Sequence, residues 1–79
     1  MIMAFVLIRV GTGEHMDFEK SVKEKNEKIE GVKTVYLVFG RYDLVAHVET
    51  SGLDALPYIT DKIRANEGVV STESLIIHS

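Results

Sequence analysis

The stretch that decides the fold is residues 35–48, which read VYLVFGRYDLVAHV. Two runs rich in β-branched and aromatic residues are interrupted only at Gly40 and Arg41, a pattern typical of a β-hairpin. Glycine at the first central position of a two-residue loop favours a type II′ turn, because that position requires a positive φ. The stretch therefore predicts a tight turn that sets Phe39 opposite Tyr42 across the two strands.

Each side of the hairpin carries one further strand and one helix. The apolar run before residue 11 predicts a strand covered on both faces, since it is apolar at odd and even positions alike. If Asp54 is the N-cap of the second helix, Pro57 lies in its first turn, where the missing N–H costs no hydrogen bond. The predicted elements are a strand at Ile2 to Val10, a helix from Thr12 or Gly13 to about Ile29, the hairpin, a helix from Asp54 that stops at Asn66 to Gly68, and a strand from Val69 to about His78.

A short repeat links the two halves of the chain. Glu-Gly-Val occurs at residues 30–32 and again at 67–69, each time where a predicted helix ends and a strand begins. Two βαβ halves joined through a central hairpin are typical of the ferredoxin-like βαββαβ fold, an α+β class with antiparallel sheet order 4-1-3-2. Right-handed crossovers put both helices on one face of the sheet. We therefore expect a second copy to cover the other, apolar face and form a dimeric α/β sandwich.

Length and composition bound the class of protein. The chain has 79 residues, enough for one domain whose folding buries only about 60–65% of the unfolded surface. It has no cysteine, so neither a disulfide nor a thiolate metal site reinforces so small a core. We therefore expect self-association to supply part of its stability.

The charge balance argues against direct contact with DNA. Nine Lys and Arg residues against twelve Asp and Glu residues give a net charge of −3, with no basic footprint for a nucleic acid. The apolar stretch at residues 1–8 lacks a basic leading region and a cleavage site, and Arg9 ends it far short of a membrane span. A cytoplasmic protein that binds neither DNA nor membrane is the expectation.

Three groups of residues spread along the chain carry a resemblance to a known family. They are Ile29 to Lys33 with Val35 and Tyr36; Gly40 with Tyr42 to Val45; and Lys62, Ile63, Gly68, Val69, Thr72 and Glu73. With these residues the chain resembles, from Ile2 to His78, the effector-binding domain of the Lrp/AsnC transcriptional regulators, also called the RAM domain. Full-length members carry an N-terminal helix-turn-helix, for which this sequence has no candidate. We therefore expect a stand-alone module in which residues 1–79 form a single domain.

The resemblance implies a function in amino-acid sensing. Domains of this family dimerise through their sheets, assemble into rings that are commonly octamers, and bind a free amino acid between dimers. The resemblance thus implies a homo-oligomer linked to transcriptional regulation of amino-acid metabolism, with no enzymatic activity and no cofactor. Full-length Lrp/AsnC regulators are additional partners under this interpretation.

A free amino acid sets three chemical requirements: an anion for its ammonium group, donors for its carboxylate, and a pocket for its side chain. The carboxylate of Asp43 meets the first requirement. Backbone amides around Gly40, Arg41 and Tyr42 meet the second, because successive N–H groups in a turn form an anion-binding concavity. By resemblance, these four residues are ligand-binding positions.

Two hydroxyl side chains on the last strand complete the predicted site. Alternation puts Thr72 and Ser74 on the same face, where both hydroxyls add polar contacts to a ligand. The resemblance also assigns them to the ligand, although Ser74 stands where the family more often has threonine. Strands 2 and 4 are opposite edges in the 4-1-3-2 order. We therefore expect that one chain does not easily bring the hairpin tip and Thr72 together, and that two chains share the site.

Structural roles remain open for the same residues. Gly40 serves the turn whether or not its amide contacts a ligand, and Tyr42 is also explained by cross-strand packing. Asp43 is alternatively a cap of the hairpin or an ion-pair partner of Arg41. The two hydroxyl residues are alternatively polar positions of an edge strand.

Other chemistry has less support in the sequence. His15, His47 and His78 are scattered and no cysteine accompanies them, so no metal site is predicted. A small dimeric ferredoxin-like enzyme of the monooxygenase or isomerase type is the main alternative, and it requires a polar cluster inside the sheet barrel. Tyr36, His47 and Tyr58 are the candidates for that cluster. A ligand-free assembly module for full-length Lrp/AsnC regulators is the third interpretation.

Overall fold

Strands and helices follow one another in the order that the hydrophobic periodicity predicts. The computed structural model describes residues 1–11 and 18–77. The elements are β1 (Ile2–Val10), α1 (Phe18–Asn26), β2 (Val32–Leu37), β3 (Leu44–Thr50), α2 (Ala55–Arg64) and β4 (Val69–Ile76). The predicted βαββαβ order is confirmed, and β1 has the predicted bounds.

The four strands form one antiparallel sheet with β1 and β3 in its interior. Their order is β2-β3-β1-β4, which is the predicted 4-1-3-2 order read from the other edge. β1 pairs with β3 on one side and β4 on the other, so that Val6 lies opposite Ala46 and opposite Ser74. The ferredoxin-like topology is therefore confirmed, with β2 and β4 as the two edge strands.

One face of the sheet forms the core together with one side of each helix. Alternate residues of β1, Ala4, Val6 and Ile8, are at most 1% exposed. Val22 of α1 and Ile63 of α2 are buried in the same cluster, so both helices cover this face, as predicted. Complete burial of such a Val or Ile side chain stabilises the fold by about 1.5–3 kcal/mol.

The other face of the sheet has no helix of the described residues packed against it. The ring of Phe5 stacks on His47 there, with the ring centres 5.3 Å apart. Tyr36 and Leu75 are each 51% exposed. We call this surface the open face; its members are Met3, Phe5, Leu7, Tyr36, Val45, His47 and Leu75.

Gly31 and Gly68 occupy equivalent corners in the two halves of the chain. Their φ angles are 98° and 99°, a conformation that glycine adopts without steric cost. Each lies between the end of a helix and the start of an edge strand, so the Glu-Gly-Val repeat marks the same corner twice. Gly68 has a second constraint, because a Cβ atom there would lie 2.8 Å from ring atoms of Phe18.

α1 ends earlier than the sequence predicts, whereas α2 ends just before Asn66, the first of the residues predicted to stop it. α1 ends at Asn26 rather than near Ile29. The Glu27 N–H still bonds to the Lys23 carbonyl four residues before it, whereas the N–H groups of Lys28 and Ile29 bond to the third residue before them in a 3₁₀ pattern. The buried side chain of Asn26 accepts a hydrogen bond from Asn66 at the same point. α2 follows Asp54 as predicted and ends at Arg64. The predicted start of α1 and end of β4 lie outside the described residues, among which no helix is long and apolar enough to cross a membrane.

Replacement of Gly68 by alanine should destabilise the fold for two separable reasons. The positive φ disfavours alanine, and the new Cβ would clash with Phe18. We expect Gly68→Ala to lower the free energy of unfolding by about 1–3 kcal/mol in chemical denaturation. In a Phe18→Ala background the clash disappears, so the cost of Gly68→Ala should shrink. An equal cost in both backgrounds would exclude a contribution from the ring contact.

Candidate functional site

The connection between β2 and β3 is a wide loop and not the predicted two-residue turn. The last residue pair between β2 and β3 is Leu37 with Leu44. We call the residues between them the 38–43 loop. Its ends are joined by a hydrogen bond from the Val38 N–H to the Asp43 carbonyl, with 3.0 Å between N and O. Phe39 is fully exposed and does not pair with Tyr42. The predicted turn and cross-strand pair are therefore wrong.

Asp43 widens the loop because both its backbone and its side chain bind β1. Its N–H donates to the Ile8 carbonyl at 2.9 Å, and its carboxylate Oδ2 accepts the Val10 N–H at 2.8 Å in a partly buried position. The carboxylate thus takes the place of the next backbone acceptor in the ladder between β1 and β3. The capping role that the sequence left open for Asp43 is present, and the cap binds β1 rather than the hairpin itself.

Arg9 holds the tip of the loop from the end of β1. Its Nε and Nη2 atoms both donate to the Arg41 carbonyl oxygen, at 3.1 and 2.9 Å. The side chain of Arg41 is exposed. Gly40 has a φ of 132°, so the expected positive φ is present, and a Cβ atom there would meet nothing within 4 Å. At the loop tip, the Arg41 carbonyl is therefore held by Arg9, whereas the space beside the Gly40 Cα atom is open among the described residues.

Tyr42 connects the loop to β4 across the end of β1. Its hydroxyl donates a hydrogen bond to the Glu73 carboxylate, and the Arg9 guanidinium carbon lies 5.9 Å from the centre of its ring. The hydrogen bond to Glu73 raises the pKa of Tyr42 above the ordinary value of 10.0. One chain thus brings the loop to the residue next to Thr72. We expected that one chain does not easily bring the hairpin tip and Thr72 together. The loop does reach β4 at Glu73, because residues 42 and 43 lie against the end of β1.

Thr72 and Ser74 lie on one face of β4, as alternation predicts, but on a different face from the Tyr42 contact. They are paired with Ile8 and Val6, whose side chains point into the core. Glu73, the partner of Tyr42, points to the opposite face. The four loop residues predicted for the ligand, residues 40–43, lie together in the 38–43 loop. The side chains of Thr72 and Ser74 lie on the other face of the sheet from the contact between Tyr42 and Glu73 within one chain.

Two residues of this arrangement are not among the predicted site residues. Arg9 fixes the Arg41 carbonyl, and Glu73 fixes the Tyr42 hydroxyl. A sequence signal for Arg9 exists, because it is the only charged residue in an otherwise apolar strand. Glu73 alternates with the two hydroxyl residues on β4, a position that by itself predicts only an exposed polar side chain.

The amino-acid sequence matches a known family over almost its whole length. Residues 3–79 match the family described as the Lrp/AsnC ligand binding domain. The chain belongs to this family. It is 38% identical to the protein TTHA0845 of Thermus thermophilus, whose crystal structure superimposes with a TM-score of 0.87 and covers 100% of this chain and 95% of that chain.

Longer relatives of this Lrp/AsnC domain are transcriptional regulators. The HTH-type transcriptional regulator FL11 of Pyrococcus furiosus is 30% identical over 76 residues, which are 96% of this chain and 48% of FL11. The feast or famine regulatory protein Rv3291c of M. tuberculosis, whose structure was solved in complex with L-methionine, is 29% identical with a TM-score of 0.83. The match covers 100% of this chain and 51% of Rv3291c. The chain thus spans about half the length of these regulators.

The three candidates for an enzymatic cluster do not all lie on one face of the sheet in this Lrp/AsnC domain. Tyr36 and His47 belong to the open face, whereas Tyr58 lies on α2, which covers the core face. His15 and His78 lie outside the described residues. In the ranges 1–11 and 18–77, no three His, Asp or Glu side chains are grouped so that they could hold a metal ion.

A separate cleft of about 270 Å³ lies at the other end of the sheet. It is lined by Glu49 at the end of β3 and by Ile59 on α2, among others. The Lys62 ammonium group lies 4.5 Å from the centre of the Tyr58 ring at the edge of this cleft. None of the six predicted ligand positions lines the cleft.

Replacement of Asp43 by alanine should destabilise the chain, because the Val10 N–H loses a charge-assisted hydrogen bond. We expect Asp43→Ala to lower the free energy of unfolding in urea by about 1.5–3 kcal/mol. Asp43→Asn keeps an oxygen acceptor and should recover most of this loss. The control Glu67→Ala removes an exposed carboxylate and should cost less than about 0.5 kcal/mol. Equal stabilities of Asp43→Ala and Glu67→Ala would contradict the capping role.

Proposed function

We propose that this chain binds a free amino acid at an interface between copies of itself, as a stand-alone effector-binding module in the transcriptional regulation of amino-acid metabolism. Residues 1–79 act as a single domain without enzymatic activity. The observation that carries the proposal is the 38–43 loop, in which an anchored carboxylate lies beside a row of backbone amides that have no acceptor among residues 1–11 and 18–77.

The loop offers partners for both charged ends of an amino acid. Asp43 uses its Oδ2 atom for Val10, and among the hydrogen bonds of the described residues none involves its Oδ1 atom. Oδ1 is therefore the acceptor for the ligand ammonium group, in a charge-assisted bond. The N–H groups of residues 39–42 donate to no acceptor in the described part of the chain, and they are the donors for the ligand carboxylate. The L-methionine in the Rv3291c structure supports this class of ligand.

The separation of the predicted residues supports a site shared by two chains. The hydroxyls of Thr72 and Ser74 lie on the core side of β4, whereas Tyr42 and Glu73 meet on the opposite side. One chain therefore supplies the 38–43 loop, and a neighbouring chain supplies the hydroxyl groups and the pocket for the ligand side chain. The ligand is then completely enclosed only in the assembly.

Two apolar surfaces support assembly in two steps. The open face, which no helix of the described residues covers, pairs with the same face of a second copy to form a homodimer. Phe39, fully exposed at the tip of the loop, then contacts a neighbouring dimer in a higher oligomer, an octamer by family resemblance. The module acts in the cytoplasm, and full-length Lrp/AsnC regulators are its further partners; with a net charge of −3 it reaches DNA only through them.

A thermal-shift scan of the purified chain against each standard amino acid, with L-methionine first, tests the ligand class. A ligand present at a hundred times its dissociation constant stabilises the fold by about 2.7 kcal/mol. Because about 1 kcal/mol shifts the midpoint of a domain this small by roughly 4–8 °C, we expect a rise of many degrees for one amino acid or a few related ones. No shift with any amino acid would instead favour a ligand-free assembly module.

Asp43→Asn tests the contact between Asp43 and the ligand separately from the role of Asp43 in the fold. This variant keeps an acceptor for the Val10 N–H but removes the negative charge that attracts the ammonium group. We expect its affinity for the amino acid, measured by isothermal titration, to fall on the order of tenfold or more. Glu67→Gln, which removes an exposed charge elsewhere, should bind as the native chain does. Unchanged affinity in Asp43→Asn would remove Asp43 from the ligand site.

Phe39→Ser should shift the assembly from the higher oligomer to the dimer, because it removes the apolar contact at the tip of the loop. Sedimentation velocity measures the masses directly. Leu53→Ser is the control, since Leu53 is also a large, exposed apolar residue but lies before α2, away from the loop. Equal masses for the native chain and Phe39→Ser would show that the loop does not form the contact between dimers.

A further inference from the structure

The amides of residues 39–42, which have no acceptor in the described part of the chain, differ in how firmly the protein fixes their direction. A donor contributes fully to anion binding only when it is held in the bound orientation before the ligand arrives. Phe39 and Gly40 precede the anchored part of the loop, and no hydrogen bond of the described residues restrains their peptides. Tyr42 differs, because the peptide groups on both sides of it are held by β1.

The peptide that contains the Tyr42 N–H is held by Arg9. Two donors of one guanidinium group, Nε and Nη2, converge on the Arg41 carbonyl oxygen at 3.1 and 2.9 Å. The peptide bonds of the described residues are trans, so the carbonyl of a peptide and its N–H point in opposite directions. With its carbonyl oxygen bound to Arg9, this peptide points the Tyr42 N–H away from the guanidinium group.

Three further contacts restrain the same residue. The next peptide is held by the bond from the Asp43 N–H to the Ile8 carbonyl. The Tyr42 ring lies beside the Arg9 guanidinium group, and its hydroxyl is bound to Glu73. Tyr42 is therefore restrained through its backbone on both sides and through its side chain, although it lies in a loop.

We infer that Arg9 is a positioning residue of the ligand site, which orients the Tyr42 N–H so that it donates to the carboxylate of the bound amino acid. The inference rests on the proposed function, because it assigns a role within the same site. Arg9 acts through the Arg41–Tyr42 peptide and does not touch the ligand. Its contribution is therefore selective for ligands that carry a negative carboxylate.

Arg9→Lys separates positioning from charge. Lysine keeps the positive charge, but its ammonium group is a point donor on a flexible stem and does not reproduce the two converging bonds of the guanidinium group. The probes are L-methionine and L-methioninamide, which differ only at the carboxylate. If the amino-acid scan identifies another ligand, that amino acid and its carboxamide replace them.

Isothermal titration should show that Arg9→Lys binds L-methionine on the order of tenfold more weakly than the native chain. Its affinity for L-methioninamide should change far less, so the preference for the carboxylate shrinks. Arg64→Lys is the control, because Arg64 bonds Asp61 on α2, away from the loop, and should leave both affinities unchanged. Thermal unfolding of each variant checks that the fold is retained.

The outcomes distinguish this inference from the proposed function. If the native chain binds no amino acid, both are overturned. If the native chain binds and Arg9→Lys keeps the full preference for the carboxylate, the positioning role alone is overturned. Equal weakening of both probes would assign Arg9 to the general stability of the loop and would also overturn the positioning role.

Discussion

The hydrogen bond from the Val10 N–H to the Asp43 carboxylate determines the shape of the candidate site. β1 continues past the residue where β3 begins, so its last backbone donor needs an acceptor that the β3 backbone does not supply. The Asp43 side chain supplies it, while the Asp43 N–H bonds the Ile8 carbonyl. Because the backbone and the side chain of Asp43 both bond to β1, the loop that joins β2 to β3 is wider than a two-residue turn. That widening leaves the amides of residues 39–42 without partners among the described residues.

The order of the elements and the order of the strands were predictable because their signals are local. Alternation along residues 2–10 identified the central strand, and the position of Pro57 set the start of α2. The repeated glycines at 31 and 68 marked the two helix-to-strand corners, both of which have a positive φ. Once these elements are known, the right-handed crossover leaves one arrangement of sheet and helices.

The loop was not predictable from signals of that kind. Val38 and the residue after it have a high strand propensity, and the following glycine suits a tight turn, so local preference favours a continuous hairpin. The contacts that decide otherwise join Asp43 to Val10, 33 residues away, and Tyr42 to Glu73, 31 residues away. Periodicity carries no information about such pairs, because each residue alone is an ordinary polar position. Tertiary contacts here override the local preference of the segment.

Alternation did predict that Thr72 and Ser74 share a face. In the site that we propose, a second chain brings them to the loop. For a ligand held between two chains, binding and association are linked, and each raises the affinity of the other by the same factor. Under the proposed function the exposed apolar surfaces would therefore have a functional consequence, since the strength of assembly would set the ligand concentration at which the site fills. A domain of this size has a small core, so a ligand that strengthens assembly also stabilises the fold of each chain.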